Sequence, residues 1–230
     1  MHIISIEGNI GSGKSTLLEY LRTYFKDNTN IVFINEPVNE WMEMKDDDGK
    51  NIIEKYYANQ EKYAFSFQVF AYITKLKLIM ETYKQNPNAI FISERSLYTD
   101  RYVFAQMLYD SGKIDNINYK IYLSWFDYFI KEINASYSVI YVNTDTTICY
   151  ERINNRNRSG EDLIPLEYLK SCDCYHKTML DEHLDSYKFI SQYVFDGNIT
   201  RTYTCDDKVH LKNDIEPLIA FILCPLSNLH

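Results

Sequence analysis

The clearest chemistry in this chain lies close to its N-terminus. Gly8-Asn9-Ile10-Gly11-Ser12-Gly13-Lys14-Ser15, continued by Thr16, fits the pattern G-x-x-x-x-G-K-[ST]. Each residue type has a physical reason. Glycines let successive backbone N–H groups turn inward around phosphate oxygens where a Cβ would collide. A flexible lysine, Lys14, carries a cation to the β- and γ-phosphates, and the Ser15 hydroxyl can serve Mg²⁺. A helix starting here aims its N-terminal partial charge at the anion. The motif alone defines a binder of nucleotide phosphates. It leaves kinase, GTPase, ATPase motor and regulator open.

Further charged groups narrow the choice. Asn35-Glu36-Pro37-Val38 follows the apolar run 31–34, with Trp41 just beyond, and Ser93-Glu94-Arg95-Ser96 closes the run 89–92. Carboxylates at the C-terminal ends of strands sit on the ligand-binding edge of an open α/β sheet. Pro37 stops its strand. Two acids and an arginine are thus expected near the phosphate cradle. Phosphoryl transfer uses a base for the attacking hydroxyl, a cation on the transferring group and support for a metal. Arg152, Arg156 and Arg158 add three guanidiniums to a basic segment over 152–161, which also holds Glu161. The planar fork of arginine suits phosphate oxygens.

The elements that must hold these groups follow from periodicity. Short apolar runs at 2–7, 31–34, 89–92, 137–142 and 192–195 read as five strands. Helical patterns cover 14–26, 52–84, 97–109, 117–134, 145–155, Pro165 to about 185, and 209–223, with a polar surface loop at 45–50. Pro165 suits a first helical turn. Strands alternating with helices predict a three-layer α/β/α fold around a five-stranded parallel sheet. No repeat, low-complexity tract or Pro/Gly-rich linker interrupts the 230 residues, so 1–230 is expected to form one domain.

Composition sets limits on partners. A formal charge of −8 argues against wrapping a nucleic-acid backbone, which basic stripes recognise. No apolar run reaches the ~18 residues of a membrane span, and the strand beginning at His2 leaves no signal or transit pattern, so a cytoplasmic location is expected. The cysteines, Cys149, Cys172, Cys174, Cys205 and Cys224, are odd in number, as for reduced thiols. Cys172, Cys174 and His176 lack the spacing of a zinc finger or ribbon and read as residues of a helix.

Taken in order, the Gly8–Ser15 loop, Glu36-Pro37-Val38-x-x-Trp41, Phe67-Gln68, Glu94-Arg95-Ser96-x-Tyr98-x-Asp100-Arg101-Tyr102, and Arg156-x-Arg158-x-x-Glu161 before Ile164-Pro165-Leu166-Glu167-Tyr168-Leu169 resemble the deoxyribonucleoside kinase family. That group includes deoxycytidine, deoxyguanosine and insect multisubstrate kinases. The resemblance implies ATP or another NTP as donor, Mg²⁺, and a deoxynucleoside as acceptor. It makes Glu36 the general base at the 5′-hydroxyl, Arg95 its clasp, and Ser15 and Glu94 the metal support. Tyr57 and Glu161 would take the sugar 3′-hydroxyl, and Gln68 would read the base between Trp41 and other aromatic rings. Ala71 belongs to the same pocket. Arg156 and Arg158 would form a lid over the phosphates, with Arg152 against the donor's base. Residues 57 and 68 stand about three helical turns apart, so both can face one pocket.

Two positions depart from the family pattern. Gly160 stands where relatives often carry the first acid of a pair. Lys75 and Asp100 occupy the places of an Arg–Asp pair found in relatives that accept cytidine or purines. Lysine keeps that charge without the fork, so the preference leans to deoxycytidine or a purine deoxynucleoside over thymidine. Relatives are homodimers through paired helices, and the apolar residues of 117–134 exceed what one buried face needs. Two rival readings are a nucleoside monophosphate kinase of the thymidylate type and a non-catalytic nucleotide-binding regulator. The first usually has an arginine before, and glycines after, the acid-Pro step, which Asn35-Glu36-Pro37-Val38 lacks. The second leaves Glu36 and Arg95 without a task. A GTPase would bring an Asn-Lys-x-Asp motif, which is absent.

Overall fold

His2–Glu7 forms strand β1, entirely buried, because its Ile-rich run packs on both faces of a sheet. The computed structural model describes residues 1–156, 158, 161–183, 189–199 and 214–223. Within these, β2 (Ile31–Ile34), β3 (Ile90–Glu94), β4 (Ser136–Asn143) and β5 (Phe189–Asp196) complete a sheet of order β2-β3-β1-β4-β5. Every pairing is parallel. The first strand is central, with Ile3 beside Phe91 on one flank and Tyr137 on the other.

Alternation along β1 divides two cores. Ile4 and Ile6 pack with Leu17, Leu21, Ile92 and Ile140 on one side, and Ile3 packs with Phe91, Tyr72, Leu76 and Phe126 on the other. Helix α1 (Lys14–Tyr24) and the last described helix, α10 (Glu216–Leu223), cover the first side. The second is covered by α4 (Gln60–Gln85) and α7 (Asn116–Ile133). This is the three-layer α/β/α arrangement around a parallel sheet that the alternating pattern predicts. Cys205, Cys224 and the expected start of the closing helix lie outside the described residues.

Three local features differ from the sequence reading. The helical stretch 52–84 is two helices, α3 (Ile52–Ala58) and α4, broken at Asn59. Asn59 has φ −154° and ψ 85°, and its side chain accepts from Lys62 N, so one asparagine ends the first helix and caps the second. A short helix, α2 (Val38–Glu43), follows Pro37 and buries Trp41. The helix expected over 97–109 begins as α5 (Leu97–Thr99), widens into a π-turn over Asp100–Ala105, and ends as α6 (Gln106–Asp110). Such π-turns often mark functional sites. Pro165 stands just before α9 (Leu166–Glu182), at its N-cap. That helix carries Cys172 buried and Cys174 exposed. Among the described residues, no helix is long and apolar enough to cross a membrane.

Candidate active site

The turn from β1 into α1 forms the cradle. Gly8, Gly11 and Gly13 all have positive φ, at 139°, 78° and 101°. A Cβ on Gly8 would fall 2.6 Å from the Val142 carbonyl oxygen, and one on Gly11 would fall 2.4 Å from that of Cys149. Neither position has room for a side chain, so the loop lies hard against β4 and α8 (Thr146–Arg156). Asn9 fixes it from behind, donating to Leu169 O at 2.8 Å and accepting from Ile10 N at 2.8 Å. The Ser12 carbonyl accepts from Thr144 Oγ1 at 3.0 Å and Arg152 Nη1 at 3.2 Å. Lys14 folds onto the Asn9 carbonyl, 2.6 Å away. Burial, and then repulsion from Arg95, pulls its pKa down to about 7 despite the attraction of Glu94 and Glu36.

The C-terminal ends of β2 and β3 face this loop. Arg95 donates from Nη1 to both oxygens of Glu36, at 2.9 and 2.8 Å. Burial raises the pKa of Glu36, but Arg95, Lys75 and Lys14 together outweigh it and bring it down to about 2. Ser15 Oγ donates to Glu94 Oε1 at 2.8 Å, so hydroxyl and carboxylate meet where the sequence placed a metal. One hydroxyl, one carboxylate and room for phosphate oxygens suit Mg²⁺, which keeps few protein ligands. Among the described residues no group of three or more His, Cys, Asp or Glu side chains could hold an ion by itself.

Cradle and strand ends open into one cleft of about 570 Å³. Its walls include Ile10, Gly11, Gly13, Lys14, Ser15 and Thr16 on the phosphate side, and Glu36, Glu94 and Arg95 at the centre. Trp41, Tyr57, Gln68, Ala71, Asp100 and Glu161 line the other end, with Arg152, Arg156 and Arg158 along the rim. Gly8, Asn9, Ser12 and Lys75 stand behind these walls. The pocket residues thus come together even though Tyr57 and Gln68 sit on separate helices, α3 and α4. Trp41 meets Phe67 edge-on at 5.5 Å and donates from Nε1 to Thr74 Oγ1 at 2.9 Å, which fixes the apolar wall.

Lys75 is 1% exposed and bridges two acids, with Nζ 3.0 Å from Asp100 Oδ1 and 3.7 Å from Glu36 Oε1. Burial opposes its charge, but Asp100 and Glu36 raise its pKa overall. Lys75 is therefore a supporting cation rather than part of the cleft surface. Asp100 keeps Oδ2 buried with no hydrogen-bond partner. Burial pushes its pKa up to about 6 against the pull of Lys75. Glu161 is held by Arg156, 2.6 Å away, and Arg158, at 3.1 Å.

Several residues escaped the sequence reading, Phe104 and Glu7 among them. Phe104 lines the cleft, and its ring lies 5.3 Å from the Arg95 guanidinium carbon. It stands four residues after Asp100, a helical spacing that could have flagged it. Glu7 is a fully buried acid at the end of the Ile-rich strand β1.

A parallel sheet with this cradle and this cleft defines a P-loop kinase-type α/β protein. A family model described as deoxynucleoside kinase matches residues 4–220. Human mitochondrial thymidine kinase 2 is 31% identical over 179 residues, covering 77% of this chain and 64% of that protein. A probable deoxycytidine kinase of fowlpox virus is 34% identical over 181 residues, covering 78% and 72%. Human deoxycytidine kinase is 31% identical over 196 residues, covering 77% and 74%. The match thus spans less than two thirds of the length of thymidine kinase 2. The chain belongs to the deoxynucleoside kinase family.

Proposed function

We propose that this protein transfers the γ-phosphate of ATP, or another NTP, to the 5′-hydroxyl of a deoxynucleoside in nucleotide salvage. The observation that carries the reading is the Glu36 carboxylate, clasped by Arg95 at 2.8 Å in the cleft that also holds Lys14. The family match and its relatives support the same chemistry.

Glu36 accepts the proton of the 5′-hydroxyl. A carboxylate held at a pKa of about 2 is a weak base, which suits a loose transition state in which the nucleophile gives up its proton late. Its main work is to orient the hydroxyl, and positioning can supply much of the acceleration. Arg95, released in part from Glu36, and Lys14 balance charge on the transferring group. Ser15 and Glu94 would hold Mg²⁺, which when bound neutralises charge on the β- and γ-oxygens. Arg156 and Arg158 close over the phosphates, Arg152 lies against the donor's base, and Tyr57 and Glu161 receive the 3′-hydroxyl.

Gln68 offers one donor and one acceptor to a base edge. The unpartnered Oδ2 of Asp100 adds an acceptor in the same cleft. That pair suits an exocyclic amino group, as on cytosine or adenine, and turns an acceptor toward O4 of thymine. The reading therefore favours deoxycytidine or, among the purine deoxynucleosides, deoxyadenosine. On α7, Ile117, Ile121, Trp125 and Tyr128 are exposed at helical spacing, and we assign this stripe to a homodimer contact.

The test is ADP release from ATP and Mg²⁺ with each of four deoxynucleosides, and with thymidine monophosphate alongside. Turnover with nucleosides, deoxycytidine or deoxyadenosine first, is expected. Turnover with the monophosphate alone would replace this reading by the monophosphate kinase, and silence with all five would favour the regulator.

A further inference from the structure

Arg95 is the one described non-glycine residue, apart from the helix-ending Asn134, with a positive φ, at 58°. For a residue with a Cβ this conformation is costly and persists only where the surroundings impose it. Three hydrogen bonds surround the turn. Arg95 N donates to Ile6 O at 3.0 Å, Ser93 Oγ donates to Arg95 O at 3.0 Å, and Ser96 N donates to Glu7 Oε1 at 2.8 Å. The second oxygen of Glu7 accepts from Thr99 Oγ1, and Ser96 Oγ accepts from Thr99 N at 3.3 Å. Glu7 is 0% exposed, and no Lys or Arg forms an ion pair with it among the described residues. Both carboxylate oxygens are thus given to a backbone N–H and a side-chain hydroxyl within the Glu94–Thr99 corner.

We propose, building on the kinase reading above, that Glu7 is a positioning residue for Arg95. It ties the last residue of β1, directly before the Gly8 cradle, to two residues just past the turn. Ser96 follows Arg95, and Thr99 precedes Asp100. A carboxylate is suited to this task because it accepts at two points without a proton of its own. Without it, Ser96 N–H would lose its acceptor inside the protein, and the left-handed turn would lose the bond next to its strained residue. The guanidinium would then leave the line between Glu36 and the transferring phosphate, so the loss would appear in turnover, not in donor binding.

The experiment measures steady-state kinetics and thermal melting for Glu7→Ala and Glu7→Gln, in the wild-type protein and in an Arg95→Lys background. Glutamine keeps one acceptor for Ser96 N. Groups that act as a unit lose activity non-additively, whereas independent ones multiply. In the wild-type protein, Glu7→Ala is expected to lower kcat at least about tenfold with KM for ATP within about twofold. Glu7→Gln should recover kcat to within about threefold, and Glu7→Ala should cost less than about threefold once Arg95 is Lys. Equal kcat in all Glu7 variants, or the same factor in both backgrounds, would overturn the proposal. Should Glu7→Ala not fold, Thr99→Val removes one of the two donors and carries the same comparison, with a loss of about threefold expected only where Arg95 is intact. A wild-type protein inactive with every acceptor would defeat the kinase reading itself. An active one indifferent to Glu7 would defeat only this inference.

Discussion

Arg95 Nη1 sits between the two carboxylate oxygens of Glu36, 2.9 and 2.8 Å away, while Lys75 Nζ approaches the same carboxylate at 3.7 Å. One acid therefore faces two buried cations where the cradle meets the rest of the cleft. The arrangement holds Glu36 ionised.

Replacing Glu36 by Gln keeps the shape and removes the charge. A positioned base contributes about 10²–10⁴-fold, so kcat should fall on that scale with the melting transition retained. Turnover like that of the wild type would remove Glu36 from the proton transfer. Arg95→Ala should be at least as severe, since an arginine on a transferring phosphoryl group is worth about 10³–10⁵-fold in related chemistry.

Base choice through Asp100 should depend on pH. Burial holds its pKa near 6. Above that value its free oxygen accepts a hydrogen bond, and below it the protonated acid can donate one. The ratio of kcat/KM for deoxycytidine over thymidine should therefore fall as pH drops from 7.5 to 5. An Asp100→Asn variant should flatten the profile. A ratio constant across this range in the wild type would show that Asp100 does not read the base.

His176 predicts how the fold responds to acid. It is 0% exposed, its Nδ1 lies 2.7 Å from Cys172 O, and its ring meets Phe104 edge-on at 6.3 Å. Burial, then repulsion from Arg95, lowers its pKa from 6.5 to about 3. The folded state therefore keeps it neutral while the unfolded chain takes up a proton below 6.5. Its contribution to stability is full above 6.5 and is lost as pH falls toward 3. Between pH 7.5 and 5 the loss amounts to about 2 kcal/mol from this one group. Urea titrations should show that drop in the wild type, reduced by about that amount in His176→Gln. Parallel pH slopes in the two proteins would contradict it.

The exposed stripe on α7 gives a fourth prediction. Trp125 is 54% and Tyr128 60% exposed. Sedimentation should find a dimer for the wild-type protein and a monomer for a Trp125→Glu variant. A wild-type monomer would return the stripe to ordinary surface.

What the sequence revealed follows the range of the forces involved. The cradle was legible because glycines, Lys14 and Ser15 act within one short turn. Glu36, Glu94 and Arg95 were legible because the ends of parallel strands must share one sheet edge. The break at Asn59 was not, since apolar periodicity runs through it and only the capping bond to Lys62 N reveals it. The π-turn that brings Asp100 and Phe104 into the cleft, and the reach of Lys75 to Glu36, depend on contacts between α4 and residues far along the chain. Glu7 reads locally as a mere interruption of a strand. Its partners, Ser96 and Thr99, become neighbours only when β1 pairs with β3.

The most direct test of the account follows the phosphate itself. ATP labelled at the γ-phosphate is incubated with Mg²⁺ and deoxycytidine, and the products are separated. Label is expected in deoxycytidine 5′-monophosphate, with little released as inorganic phosphate, and no transfer is expected when the acceptor already carries a 5′-phosphate. Label found only in inorganic phosphate, or only on the phosphorylated acceptor, would contradict the proposed transfer.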